Sequence, residues 1–115
     1  MRVHPNQALG RFGEERAARW YVDAGYLILE RNWRGRAGEV DLFCFRGGVL
    51  VVCEVKSRRS DRHGIPAEAV TSVKQGRLRQ LAAEYASGSS IRFRSIRFDV
   101  ASLLGQDFSV IEGAF

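Results

Sequence analysis

GEVDLFCFRGGVLVVCEVKS, Gly38 to Ser57, consists of two β-rich apolar runs on either side of Gly47-Gly48. A Gly-Gly pair closes a tight hairpin because both residues tolerate positive φ. With that turn Arg46 faces Val49, and the numbers of every facing pair add to 95. Asp41 is then expected opposite Glu54, and Glu39 opposite Lys56. Facing residues share a side of the sheet, so one side reads Glu39, Asp41, Phe43, Phe45 with Leu50, Val52, Glu54, Lys56. The other reads Val40, Leu42, Cys44 with Val49, Val51, Cys53, Val55, and is wholly apolar.

Charged side chains are seldom buried unless paired or bound to metal. Two carboxylates across a strand pair lie about 5 Å apart and repel by several kcal/mol at an effective dielectric of about 20. A shared proton, Lys56 or a divalent cation would offset that repulsion. A salt-bridge ladder on an open face is the bland alternative. Phe43, Phe45, Leu50 and Val52 on the same side weigh against it, since they call for a helix over the turn end. The charged end then becomes the margin of a cleft.

Outward from the hairpin, Asn6 is placed to cap a helix from Gln7 to Ala24, with Gly25 as its stop. Leu9, Phe12, Gly13, Ala17, Trp20, Tyr21 and Ala24 form its apolar stripe, and Arg11, Glu15, Arg19 and Asp23 lie mostly opposite. Glu14 falls on the inward edge of the stripe by helical spacing. Tyr26 to Trp33 reads as a strand and Gly35 to Gly38 as a turn. A polar segment, Ser57 to Pro66, carries Arg58, Arg59 and Arg62. A second helix is expected from Thr71 to Ser87-Gly88, and Lys74 continues its apolar stripe with Leu78, Leu81 and Tyr85. A helix N-terminus offers a lysine no dipole stabilisation. Strands follow at Ile96 to Ala101 and Phe108 to Ile111, with a break near Arg94-Ser95. The order predicts an α/β (α+β) domain spanning residues 1–115, with a central mixed sheet flanked by helices.

The formal charge is +5 and the pI about 9.9, which favours an anionic partner, nucleic acid above all. No apolar run approaches a membrane span and no signal peptide is visible, so a cytoplasmic location without membrane contact is expected. Cys44 and Cys53 are too few for a zinc site and read as buried thiols. Trp20, Tyr21 and Trp33 read as core.

Asp41 followed by Glu54-Val-Lys56 resembles the PD-(D/E)XK motif of the restriction-endonuclease-like fold. Around it stand Gly10, Gly13-Glu14, Ala17, Gly25-Tyr26, Arg31-Asn32-Trp33-Arg34, Gly38-Glu39-Val40-Asp41, Lys74 and Arg97-Phe98-Asp99-Val100. Together they resemble the YraN family of small bacterial proteins over nearly the whole chain, and that family is similar to archaeal Holliday-junction resolvases. The resemblance implies a Mg²⁺- or Mn²⁺-dependent nuclease acting on DNA rather than RNA. Asp41, Glu54 and the carbonyl of Val55 would be metal ligands, Lys56 would position or activate water, and Glu14 would sit beside the metal. Glu39 belongs to the same motif in a supporting role, either at the metal or paired with Lys56. Arg58, Arg59, Arg62 and Lys74 are candidates for phosphate contact. A junction substrate would suit a homodimer. The competing expectation is a nucleic-acid-binding module that keeps the fold without turnover.

Overall fold

In the computed structural model, which describes residues 5–59 and 70–115, Gly47 and Gly48 take φ of +57° and +82°. They join strands β2 (Gly38–Arg46) and β3 (Val49–Arg58). Arg46 pairs with Val49, and the expected register runs from there to Leu42 opposite Cys53. Beyond that pair the two strands part.

Strand β1 (Leu27–Gly35) pairs antiparallel with β2 and closes through a two-residue turn between Gly35 and Gly38. Strand β4 (Ser95–Leu104) runs parallel to β3, and β5 (Asp107–Ile111) returns antiparallel along β4. The sheet order β1-β2-β3-β4-β5 is thus mixed, as expected of a restriction-endonuclease-like core. The parallel pair needs a crossover, and helix α2 (Ser72–Gly88) supplies it. Thr71 caps α2 by accepting the N–H of Lys74 at 3.2 Å. β4 starts at Ser95, which accounts for the break in alternation just before it.

Helix α1 (Pro5–Asp23) begins two residues earlier than expected, so Asn6 lies in its first turn instead of capping it. Proline suits that position because the first-turn N–H groups have no helical partner. The end of α1 is as read: Gly25 has φ +88°, its N–H bonds to Val22, and the Tyr26 N–H reaches back to Tyr21 at 2.9 Å. This is a Schellman stop.

The helices take opposite faces. Tyr21, Ala17 and Ala18 of α1 pack on Leu42, Cys44, Val51, Cys53 and Ala101. Leu78, Leu81 and Ala82 of α2 pack on Phe43, Leu50, Val52, Phe98 and Val100, and Tyr85 stacks on Phe43 at 4.1 Å. The helix cover expected over Phe43 and its neighbours is therefore α2. One member is out of place: Val40 belongs to the α2-side cluster, not with Leu42 and Cys44.

α1 lies so close to β3 that a side chain at Gly13 would put its Cβ 1.9 Å from Ser57 Oγ and 3.4 Å from Val55 Cγ1. Ser57 Oγ is itself buried and has no hydrogen-bond partner among the described residues. Gly13→Ala is expected to destabilise by about 1–2 kcal/mol, the overpacking penalty exceeding alanine's helix preference. Adding Ser57→Ala, which removes an oxygen with no hydrogen-bond partner among the described residues, should recover most of that loss in urea unfolding.

Candidate active site

Alternation along β3 points Glu54 and Lys56 toward α2, where Lys74 of the first turn meets them. Lys74 Nζ lies 3.0 Å from Glu54 Oε1, and Lys56 Nζ lies 3.8 Å from the same oxygen. Glu54 is buried, at 7% exposure. This explains a lysine in an apolar stripe at a helix N-terminus: its ammonium is held by a buried carboxylate. Burial opposes the charge on Lys74, but the hydrogen bond and charge of Glu54 prevail and raise its pKa. Burial and the adjacent Lys74 instead lower that of Lys56, so of the two amines Lys56 more readily gives up a proton.

Asp41 occupies the gap where β2 and β3 part. The extended register would put Val55 opposite Val40; instead the Val55 N–H donates to Asp41 Oδ2 at 2.8 Å. In antiparallel pairing a residue's N–H and C=O face the same neighbour, so the Val55 carbonyl also faces this gap. Burial, then the charge of Glu54, push the Asp41 carboxyl up from 3.8 to about 7, with Glu14 adding to the rise and the Val55 N–H opposing it. The charge of Glu54 beside it thus favours the protonated form of Asp41.

The third carboxylate comes from the other face. Glu14 of α1, with Arg11, Asn32 and Asp41, lines a cavity of about 210 Å³. Its inward position agrees with the helical spacing, but the expectation that every charge gathers on one side of the hairpin does not hold. Val40 faces α2, whereas Asp41 and Leu42 turn toward α1, because the alternation of β2 slips at Asp41. Glu39 is thrown outward by the same slip. It faces Arg34 in the β1–β2 ladder and pairs with that side chain at 3.3 Å, not with Lys56.

Asn32 and Arg11 were not anticipated as site residues. Arg11 stands one turn before Glu14, a spacing that places both on one helix side. Asn32 gave no periodic signal, since it sits at an irregularity that no alternation describes. Of the expected phosphate contacts, Lys74 is engaged by Glu54, Arg58 ends β3, Arg59 is exposed, and Arg62 lies outside the described residues. Cys44 and Cys53 are buried and unpaired by disulfide, and burial pushes the Cys44 thiol up to about 12. Both are unreactive core residues.

Among the described residues no three His, Cys, Asp or Glu side chains converge on one point. The donor set is two adjacent carboxylates and a carbonyl-bearing strand edge. That set fits a hard divalent cation such as Mg²⁺, which is held by one or two carboxylates and keeps several waters. Glu14, Asp41 and Glu54 are matched in number by Arg11, Lys56 and Lys74.

Comparison with known proteins follows the same outline. The model of an uncharacterised protein family, UPF0102, matches residues 13–103, from Gly13 on α1 to Leu103 near the end of β4. A UPF0102 protein of Nocardioides sp. is 51% identical over 98 residues, 85% of this chain and 79% of its own. One from Rhodococcus opacus is 50% identical over 99 residues, 86% of this chain and 84% of its own. One from Dictyoglomus turgidum is 35% identical over 99 residues with the same coverage, 86% and 84%.

Proposed function

This chain belongs to the uncharacterised protein family UPF0102, and from that premise we propose that it is a Mg²⁺- or Mn²⁺-dependent endonuclease. Its substrate is the phosphodiester backbone of DNA, branched or repair intermediates included. The observation that carries the reading is the meeting of Asp41 and Glu54 at the parted ends of β2 and β3, with the Lys56 ammonium 3.8 Å from Glu54. A half-buried aspartate with a raised pKa, set between a buried glutamate and a lysine whose pKa is lowered, is the kind of cluster that chemistry requires and packing avoids.

Asp41, Glu54 and the Val55 carbonyl would hold the cation, which supplies Lewis-acid polarisation of the scissile phosphate. Lys56 orients the attacking water and accepts hydrogen bonding from it when neutral, or steadies the growing negative charge when protonated. Lys74 keeps Glu54 in place through its 3.0 Å contact. Glu14 contributes negative charge from the α1 side. Arg58 and Arg59, with Arg62 further along, are left to the flanking phosphates, which carry affinity and not sequence choice. On this reading the protein works on nucleic acid in the cytoplasm, and a junction substrate would engage two copies.

The test is cleavage of branched, single-stranded and double-stranded DNA with Mg²⁺ or Mn²⁺. Asp41→Ala and Lys56→Ala should each lower the rate by at least about a hundredfold. Absence of cleavage on every substrate, or equal rates in the variants, overturns the proposal. One observation favours a second reading, a DNA-binding module without turnover: Glu54 Oε1 already has two ammonium partners. Salt-dependent DNA binding without any Mn²⁺ uptake would select that reading.

A further inference from the structure

Asn32 has φ of +50°, the one non-glycine positive φ among the described residues. Left-handed backbone is disfavoured for residues with a Cβ and tolerated best by asparagine. Its place is specific. In the β1–β2 ladder Arg31 pairs with Leu42 and Trp33 with Val40, so Asn32 stands across from Asp41. Both strands change side there. Trp33 packs on Phe43 and Tyr85 beneath α2, while Arg31 reaches Glu15 on α1 at 2.8 Å and Asn32 lines the cavity with Glu14. On β2, Val40 faces α2 and Leu42 faces α1. Because the two strands slip together, the register is the same before and after the irregularity.

We propose that Asn32 is a positioning residue: its left-handed backbone turns Asp41 off the α2 face, where plain alternation would put it, and into the gap beside Val55. Regular extended backbone at residue 32 would carry the slip out of β1, and β2 would have to follow or lose its pairing. Asp41 would then swing toward α2 and release the Val55 N–H, now bonded to Oδ2 at 2.8 Å. This accounts for Asn32 within Arg31-Asn32-Trp33-Arg34, a segment whose other members have evident contacts. What the placement means for cleavage rests on the nuclease reading; the placement itself does not.

Amide hydrogen exchange at Val55 in the metal-free chain reads Asp41's position directly. Asn32→Gly keeps access to positive φ and should leave Val55 exchange within about threefold of wild type. Asn32→Val, β-branched and adverse to that backbone, should speed it roughly tenfold or more, with Asn32→Ala between them. The amide of Val51, inside the regular part of the ladder, should not change. Asp41→Ala should reproduce the Val55 effect. Should the valine variant fold poorly, the alanine and glycine pair carries the comparison. Val55 exchange that is unchanged in both Asn32→Val and Asn32→Ala, or accelerated equally in Asn32→Gly, overturns the proposal. Mn²⁺ titration of the same proteins separates the two claims. A wild-type chain that takes up no Mn²⁺ while the exchange pattern holds would sink the metal reading and support the positioning role.

Discussion

Asp99→Ala is expected to cost about 3–5 kcal/mol, the range for removing one partner of a buried, hydrogen-bonded charge pair. Asp99 is wholly buried on β4 and accepts four hydrogen bonds. Two come from Arg97 at 2.9 Å each, one from Tyr21 Oη at 2.7 Å, and one from the Gly113 N–H at 3.0 Å. One carboxylate thus ties α1, β4 and the C-terminal segment together. Burial first, then the charges of Cys53 and Asp99, push the Tyr21 hydroxyl far above its ordinary range, so it stays a neutral donor. The hydrogen bonds that Arg97 donates to Asp99 likewise hold its guanidinium charged. Alanine would take away the carboxylate that accepts from the buried Tyr21 hydroxyl and leave the Arg97 guanidinium only the more exposed Glu112, 3.5 Å away, as a counter-charge. Because Arg97 keeps 27% of its side-chain surface in solvent, the lower end of the range is expected. For a domain whose total stability is of order 5–15 kcal/mol, that is a large fraction. Tyr21→Phe removes one bond and keeps the ring, and should cost about 1 kcal/mol. Urea unfolding of both variants checks the order, and equal small losses would show the network to be dispensable.

Asp99 also shows the limits of reading from sequence. Its segment, Arg97-Phe98-Asp99-Val100, carried the family resemblance without a role, because nothing in the local pattern tells a buried structural acid from a ligand. Tyr21, its partner, lies 78 residues away. The hairpin was legible for the opposite reason. Gly47-Gly48 sets a register by local backbone chemistry, and a period of two then propagates it as far as Leu42 and Cys53. Lys74 was legible in part: its place in an apolar stripe marks it as a site residue, but a phosphate contact was expected of it and its partner is the Glu54 carboxylate. The slip at Asn32 and Asp41 was hidden because it occurs on both strands at once. Val40 is apolar and buried on either face, so the composition of the strand does not record which way it points. Glu39 was misplaced for the same reason: its expected contact with Lys56 relied on alternation passing unbroken through Asp41, and its actual neighbour, Arg34, belongs to another hairpin.

Asp41→Asn is expected to act in two opposite directions. With its carboxyl raised to about 7, folded Asp41 keeps its proton over a range in which the unfolded chain, titrating near 4, has lost it. The folded state then binds more protons than the unfolded one, so stability falls as pH rises from about 4 to about 7 and levels off above. Asparagine removes this dependence. Its carbonyl can accept the Val55 N–H and its amide can donate to Glu54, so the geometry of the gap survives without the charge. The metal-free variant should therefore match wild type near pH 4 and melt higher at pH 8, by roughly 5 °C for a chain of this size. Metal reverses the ranking. A divalent cation offsets the carboxylate repulsion only where both carboxylates exist, so Mn²⁺ at pH 8 should raise the wild-type melting temperature and leave the variant unmoved. Proton competition should also make wild-type Mn²⁺ affinity climb about tenfold per pH unit below 7 and flatten above it. Melting curves at pH 4, 6 and 8 with and without Mn²⁺ test both halves. A variant less stable than wild type at pH 8 without metal would refute the crowding of Asp41 against Glu54, and equal stabilisation by Mn²⁺ would remove Asp41 from the cation's donors.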